Sequence, residues 1–240
     1  MGRFFVRLGC ATVVAVVLIV ALVAWALSFF HVPPPTRQLQ PVSEQVPPAA
    51  GAAVVDQEAL GELAGSMDVD VKALRAYIAA EDHARQVWPG CGLRWNTLAG
   101  IGWVETRHGT YGGNWFKPSH LDDFGVATPP IVGIPLDGTN GTARIADTDG
   151  GVLDGDAEFD RAMGPMQFIP TSWERYGAGN PQNIADAAVA AANLLCSGGR
   201  DMSTEEGWLE AIYSYNHSRD YVSRVARAAN SYALEQPAVS

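Results

Sequence analysis

The feature that most constrains this 240-residue chain is an uncharged apolar run near its beginning. Residues 8–30 read LGCATVVAVVLIVALVAWALSFF, which is longer than the roughly 20 residues that a helix needs to cross a bilayer. Arg3 and Arg7 precede the run, and the cytoplasmic flanks of membrane helices carry an excess of positive charge. We therefore predict a single-pass transmembrane anchor within residues 1–30, with a cytoplasmic N-terminus and the rest of the chain outside.

A cleaved signal peptide is the alternative, with Ala24 and Ala26 as a weak A-x-A site, although a signal core is usually shorter. Both alternatives export the remainder of the chain. Residues 31–66 are rich in Pro, Ala and small polar residues that cannot bury a core, which predicts a flexible linker. One folded domain is then predicted over residues 67–236. The net charge of −10 argues against a nucleic-acid partner.

The chain has three cysteines, of which Cys10 lies inside the apolar run. The other two, Cys91 and Cys196, form an even pair in an exported domain, where disulfides are common. We predict that they form a structural disulfide.

Apolar residues at helical spacing predict an all-α domain of five or six helices. Asp70 is the predicted N-cap of one helix, and Asn96 or Thr97 is that of the next, TLAGIGWVETRH, which ends at Gly109. Helical patterns return in the last third of the chain. Between the first two predicted helices and these later ones, residues 111–161 are rich in Gly, Pro and Asp and show no clear helical or strand periodicity. This composition predicts a long central loop insertion.

One acid lies on an unfavourable face of the second predicted helix. Glu105 follows Ile101 by four residues and Leu98 by seven, so it shares the apolar stripe, where an unused carboxylate is costly. Gly100 and Gly102 lower helix stability but allow another chain segment or a ligand to lie against the helix. A satisfied structural acid is the alternative interpretation.

The position of Glu105 favours a functional interpretation. The carboxyl lies at the C-terminal end of the predicted helix, where the helix dipole opposes ionisation, and partial burial raises its pKa in the same direction. A protonated acid beside an open surface is what general-acid cleavage of a glycosidic bond requires.

Two later segments carry polar groups suited to sugars. The segment AMGPMQFIPTSW, residues 162–173, places Gln167 between apolar side chains, where its amide needs partners. The segment SYNHSRDYV, residues 214–222, places Tyr215 and Asn216 at a predicted helix junction.

The ordered motifs ETRHG, GPMQFIPTSW and YNHSRDYVSRV resemble those of the lytic murein transglycosylases related to the membrane-bound transglycosylase B type, in the lysozyme-like superfamily. The form of the motifs in this chain is similar to that in exported actinobacterial members of the family. The resemblance covers roughly residues 70–235. It implies a lysozyme-like helical fold and a domain that faces the cell wall. The family commonly has Glu-Ser where this chain has Glu105 and Thr106, which keeps the hydroxyl.

By this resemblance, Glu105 is the sole catalytic carboxylate, first as acid and then as base. It would cleave the β-1,4 bond between N-acetylmuramic acid and N-acetylglucosamine in peptidoglycan and yield a 1,6-anhydromuramyl product. No organic cofactor is implied. The candidate substrate-binding residues are Gln167, Tyr215, Asn216, Met166, Trp115, Tyr111 and Tyr221.

Two alternative functions stay open. If Asp154, Asp160 or another acid faces Glu105, the protein is a hydrolytic lysozyme-type muramidase with paired carboxylates. A non-catalytic, glycan-binding cell-wall scaffold would need the aromatic cleft but not the acid. His108 and His217 are weaker candidates for acid–base chemistry, because a histidine at a helix C-terminus more often caps carbonyl groups.

The insertion contains the acidic segment IADTDGGVLDGDAEFD, whose alternating carboxylates and glycines can wrap a calcium ion. Its spacing does not match an EF-hand, and an acidic surface loop is the alternative. The candidate calcium ligands are Asp147, Asp149, Asp154 and Asp156.

Overall fold

The computed structural model describes residues 39–43, 45, 56–111, 113–114 and 117–239. The predicted anchor and the candidate Trp115 lie outside the described residues. Within these ranges, none of the helices has the length and apolarity that crossing a membrane would require. The chain divides into two compact units, Met1–Leu39 and Gln40–Ser240, and every described helix and strand belongs to the second unit.

This unit is mostly helical, as the sequence predicts. Seven α-helices lie within its described residues: α1 (Gln57–Met67), α2 (Val71–Val87), α3 (Trp95–Thr106), α4 (Pro170–Tyr176), α5 (Ile184–Cys196), α6 (Glu205–Tyr215) and α7 (Arg219–Ala233). A 3-10 turn, Ser197–Gly199, follows α5.

The predicted cap of α2 is confirmed, and that of α3 is wrong. The Asp70 side chain accepts a hydrogen bond from the first turn of α2. Helix α3 begins at Trp95, whose backbone N–H donates to the buried Glu81 carboxylate of α2 at 2.7 Å. Asn96 and Thr97 instead lie buried inside the core. A neighbouring helix therefore caps α3, which local sequence signals do not reveal.

Helix α3 forms the centre of the core, and its glycines allow close packing by neighbouring segments of the chain. A methyl group added to Gly100 would lie 2.9 Å from the Val225 carbonyl oxygen of α7. One added to Gly102 would overlap the hydroxyl of Tyr77 from α2. Both glycines thus serve helix packing, one of the two alternatives that the sequence leaves open.

The central insertion is where the all-α prediction is incomplete. Among the described residues 113–114 and 117–163, there are three separate two-stranded antiparallel sheets. The pairs are β1 (Gly113–Asn114) with β2 (Lys117–Pro118), β3 (His120–Leu121) with β4 (Ala127–Thr128), and β5 (Val132–Pro135) with β6 (Arg161–Met163). Strands of two to four residues are too short to show an alternating pattern.

The predicted disulfide is confirmed, since Cys91 and Cys196 are bonded across a sequence separation of 105. It joins the turn after α2 to the end of α5. Helix α1 overlaps the predicted linker, residues 31–66, yet it packs against α2 with Leu60, Ala64 and Met67 buried.

Candidate active site

Glu105 lies in the last turn of α3, and its side chain is partly exposed. The Tyr221 hydroxyl, from the first turn of α7, donates a hydrogen bond of 2.6 Å to Glu105 Oε1. Of the side-chain hydrogen bonds and ion pairs found in the described residues, this is the one that involves Glu105. The acid is therefore held in place by a neutral donor rather than by a cation.

Burial is the main influence on the ionisation of Glu105. It raises the pKa of the carboxyl from 4.5 to about 7, against the lowering effects of the Tyr221 hydrogen bond and the Arg224 charge. The carboxyl therefore keeps its proton to a higher pH than an exposed glutamic acid does. A group with this pKa can both donate a proton and take one back.

The three sequence motifs meet around this acid. The Thr106 hydroxyl donates to the Pro165 carbonyl at 2.6 Å, which ties the end of α3 to the 164–168 turn. The Tyr215 hydroxyl donates to the Met166 carbonyl, also at 2.6 Å. The rings of Tyr215 and Tyr221 stack with centroids 6.3 Å apart and planes inclined by 5°. Segments far apart in sequence thus form one continuous network beneath Glu105.

Gln167 occupies a left-handed backbone conformation, with φ of 52°, which few residues other than glycine adopt. Its Nε2 donates to the Gly164 carbonyl at 2.9 Å, which closes the turn. Its Oε1 lies beside Gly133 of β5, where an added methyl group would be 3.4 Å from the oxygen. The amide is partly exposed. It keeps acceptor capacity after making its hydrogen bond to Gly164.

The other predicted substrate-binding residues differ in how accessible they are. Met166 is fully buried, and its carbonyl takes part in the network, so a substrate contact of this residue stays a prediction. Tyr221 is 5% exposed, and its hydroxyl holds Glu105. Asn216 is exposed at the junction of α6 and α7, and Tyr111 is 74% exposed.

His108 is neither an acid–base partner nor a helix cap. Its buried ring lies between two tyrosine hydroxyls, with Tyr77 3.0 Å from Nδ1 and Tyr232 2.7 Å from Nε2. Burial, aided by the charge of Arg107, lowers the pKa of His108 to about 3. The imidazole is therefore neutral at neutral pH and links α2, α3 and α7. His217 is exposed.

The two tyrosine partners of His108 could not be identified from the sequence, for a clear reason. Tyr77 and Tyr232 lie at opposite ends of the domain sequence, and each matches an ordinary core position of an amphipathic helix. No local signal distinguishes them from other buried aromatic residues.

The candidate calcium ligands bind their own loop. Asp147 and Asp149 accept backbone N–H groups of the glycine turn, and Asp154 accepts those of Asp156 and Arg161. Asp156 forms an ion pair of 2.7 Å with Arg161. Among the residues that the structure describes, no three His, Cys, Asp or Glu side chains group as metal ligands would.

The acids considered as second carboxylates are also engaged within the insertion. Asp160 is fully buried and accepts hydrogen bonds from the Thr148 N–H and hydroxyl at 2.9 Å. Asp154 is nearly buried and holds two backbone N–H groups. Both carboxylates therefore bind groups of the insertion itself.

Comparisons with known proteins give one structural likeness. The structure is similar to the Escherichia coli lytic transglycosylase Slt35 in complex with bulgecin A, with 16% sequence identity, 75% of each chain covered and a TM-score of 0.43. A likeness of this size does not by itself establish a shared function. No family model and no curated protein matches the chain.

Proposed function

We propose that this protein is a membrane-anchored lytic transglycosylase that cleaves the glycan strands of peptidoglycan. The observation that carries the proposal is the state of Glu105: a partly exposed carboxyl with a pKa raised to about 7, held by the Tyr221 hydroxyl. The meeting of all three motifs at this carboxyl supports the same function.

In the first step, protonated Glu105 donates its proton to the oxygen that bridges N-acetylmuramic acid and N-acetylglucosamine. The bond between this oxygen and muramyl C1 breaks, and the N-acetylglucosamine portion leaves as an alcohol. In the second step, the Glu105 carboxylate accepts the proton of the muramyl C6 hydroxyl while the oxygen of that hydroxyl bonds to C1. This closes the 1,6-anhydro ring and returns Glu105 to its protonated form.

One carboxyl suffices for this sequence because the substrate supplies the nucleophile. A hydrolase would need a second carboxylate to activate water or to attack C1. The engagement of Asp154 and Asp160 with Thr148 and backbone groups supports the single-acid mechanism.

Substrate contacts are proposed for exposed or partly exposed groups of the two later motifs and of the turn after α3. Gln167 and Asn216 offer an amide each for sugar hydroxyl or N-acetyl groups, and Tyr111 offers an exposed ring for stacking. We also propose export and anchoring through residues 8–30, which the Cys91–Cys196 disulfide supports, since such bonds persist in oxidising compartments.

Digestion of purified peptidoglycan tests the proposal. The full chain should release fragments with 1,6-anhydromuramyl ends by mass spectrometry, and Glu105→Gln should release none. Glu174→Gln is the matched control, because Glu174 is an exposed acid on α4. Reducing muramyl ends would instead identify a hydrolase. Glycan binding without any cleavage by the wild-type chain would identify a scaffold.

A further inference from the structure

A cavity of about 410 Å³ opens between the C-terminal ends of α1 and α3 and the start of α2. Asp68 and Asp70 line it from the junction of α1 and α2, and Trp103, Arg107 and His108 line it from the end of α3. Its volume falls in the range of small-molecule sites, about 300–1,000 Å³. The candidate acid is not part of its lining, so this cavity is separate from the site where the three motifs meet.

Asp68 lies where neither backbone conformation nor charge favours an aspartate. It is the C-cap of α1 in the left-handed conformation, with φ of 56°, which glycine adopts at lower cost. Its carboxylate lies at the negative end of the helix dipole, and the last turn of α1 has no basic residue. The neighbouring Asp70 caps α2 and pairs with Lys72 at 3.5 Å, whereas the Asp68 carboxylate makes no hydrogen bond or ion pair within the described residues. Asp68 therefore offers the cavity a free anionic group.

Arg107 carries the opposite charge and is held in a fixed orientation. It is the C-cap of α3, also left-handed, with φ of 52°. Its Nη1 donates to the Trp103 carbonyl at 2.6 Å, and its Cζ lies 4.0 Å from the centre of the Trp103 ring. A guanidinium has five N–H donors, so most of them stay available to an acceptor in the cavity.

The two charges share the cavity without satisfying each other. Within the described residues, no ion pair joins Asp68 to Arg107. Burial raises the pKa of the Tyr232 hydroxyl, while Arg107 lowers it and Asp68 raises it, so both charges lie near that hydroxyl. The ring nitrogens of His108 are both bonded to tyrosine hydroxyls, and the ring adds no charge at neutral pH. A neutral ligand would take water from both charges without replacing it, which is costly.

We propose that this cavity binds a zwitterion that carries one ammonium and one carboxylate group, either an α-amino acid or a short peptide. The ammonium group pairs with Asp68. The carboxylate accepts two N–H groups from the edge of Arg107, whose planar fork matches its two oxygens. Ala64 and Val69, both buried, supply apolar wall for the rest of the ligand. The inference does not rest on the proposed function, because none of these groups takes part in proton transfer by Glu105.

Isothermal titration calorimetry of the full chain in detergent micelles tests the site with alanine, alanylalanine and trialanine. At least one of them should bind saturably, and the length of the tightest binder reports the separation of the two charges. Alanine as the tightest binder identifies a free amino acid as the ligand, and either peptide identifies a short peptide. The N-acetyl form of the tightest binder lacks the ammonium group and its amide form lacks the carboxylate, so each should bind at least tenfold more weakly.

Substitutions of the two charged residues complete the test. Asp68→Asn and Arg107→Gln should each weaken binding of the tightest probe at least tenfold. Asparagine is tolerated in the left-handed C-cap, so Asp68→Asn keeps the fold. The matched controls Glu62→Gln and Arg85→Gln change exposed charges of α1 and α2 outside the cavity and should bind as wild type does.

Three results would overturn the site: no saturable binding of any of the three probes, equal binding of a blocked form, or unchanged binding in either variant. Glycan cleavage is not measured in this test. A negative result would therefore leave the role of Glu105 standing, and a failure of glycan cleavage would leave this site standing.

Discussion

Replacing Glu105 by glutamine should stabilise the protein at alkaline pH while abolishing the proposed glycan cleavage. Glutamine has nearly the same shape as glutamic acid, and its carbonyl oxygen can still accept the hydrogen bond from the Tyr221 hydroxyl. It carries no charge at any pH. The substitution therefore removes the ionisation of this side chain and little else.

The size of the effect follows from the raised pKa of Glu105. Between its ordinary value of 4.5 and the value of about 7 in the folded protein, the folded chain binds more protons than the unfolded chain. The stability contributed by the protonated carboxyl is fully present below pH 4.5 and is lost as pH rises to about 7. At about 1.4 kcal/mol per tenfold change in the ionisation constant, and with part of the side chain in solvent, the loss is about 2–3 kcal/mol.

Urea denaturation at a series of pH values from 4 to 8.5 measures this loss. The free energies of unfolding of wild type and Glu105→Gln should agree within about 0.5 kcal/mol at pH 4 and differ by about 2–3 kcal/mol at pH 8, with the variant more stable. Glu174→Gln, the exposed control on α4, should show no such divergence.

A difference that does not change with pH would refute the reasoning, because it would mean that burial does not oppose the ionisation of Glu105. A wild type that is the more stable protein at pH 8 would refute it more strongly. The carboxylate would then be stabilised in the folded state, and the acid would lack its proton at neutral pH.

Three further perturbations test the network around the acid and the frame that holds it. Tyr221→Phe removes the donor that lowers the pKa of Glu105, so the alkaline limb of the pH–rate profile for glycan cleavage should move above pH 7. His108→Gln removes a ring whose pKa is lowered to about 3. In urea denaturation, wild type should lose stability as pH falls from 6.5 towards 3, by up to about 1.4 kcal/mol per pH unit. The variant should lose less stability over the same range. Cys91→Ala opens the bridge to Cys196 and should lower the free energy of unfolding by about 4–5 kcal/mol.

Each of these results has a clear contrary outcome. An unchanged or lower alkaline limb in Tyr221→Phe would show that its hydroxyl does not stabilise the Glu105 anion. Equal acid sensitivity of wild type and His108→Gln would show that the imidazole is free to take a proton in the folded state. An unfolding free energy that stays at the wild-type value in Cys91→Ala would show that the bridge does not restrict the unfolded chain.

Much of the domain could be predicted from residues that are close in sequence. Helical spacing and the Asp70 cap indicate α2, and the position of Glu105 on the apolar stripe near the end of α3 identifies the acid. The pairing of Cys91 with Cys196 follows from counting the cysteines outside the apolar run, together with the prediction that the domain is exported. These features depend on local periodicity and on residue type, which a sequence displays directly.

The tertiary structure alone decides which groups surround the acid. The Tyr221 hydroxyl reaches Glu105 across a sequence separation of 116, and Glu81 of α2 caps α3 in place of the residues that precede it. Burial in the folded protein raises the pKa of Glu105, and the neighbouring Thr106 is bonded to Pro165, 59 residues further along the chain. Desolvation and hydrogen bonding depend on distances in space, and the linear sequence does not encode those distances in any local pattern.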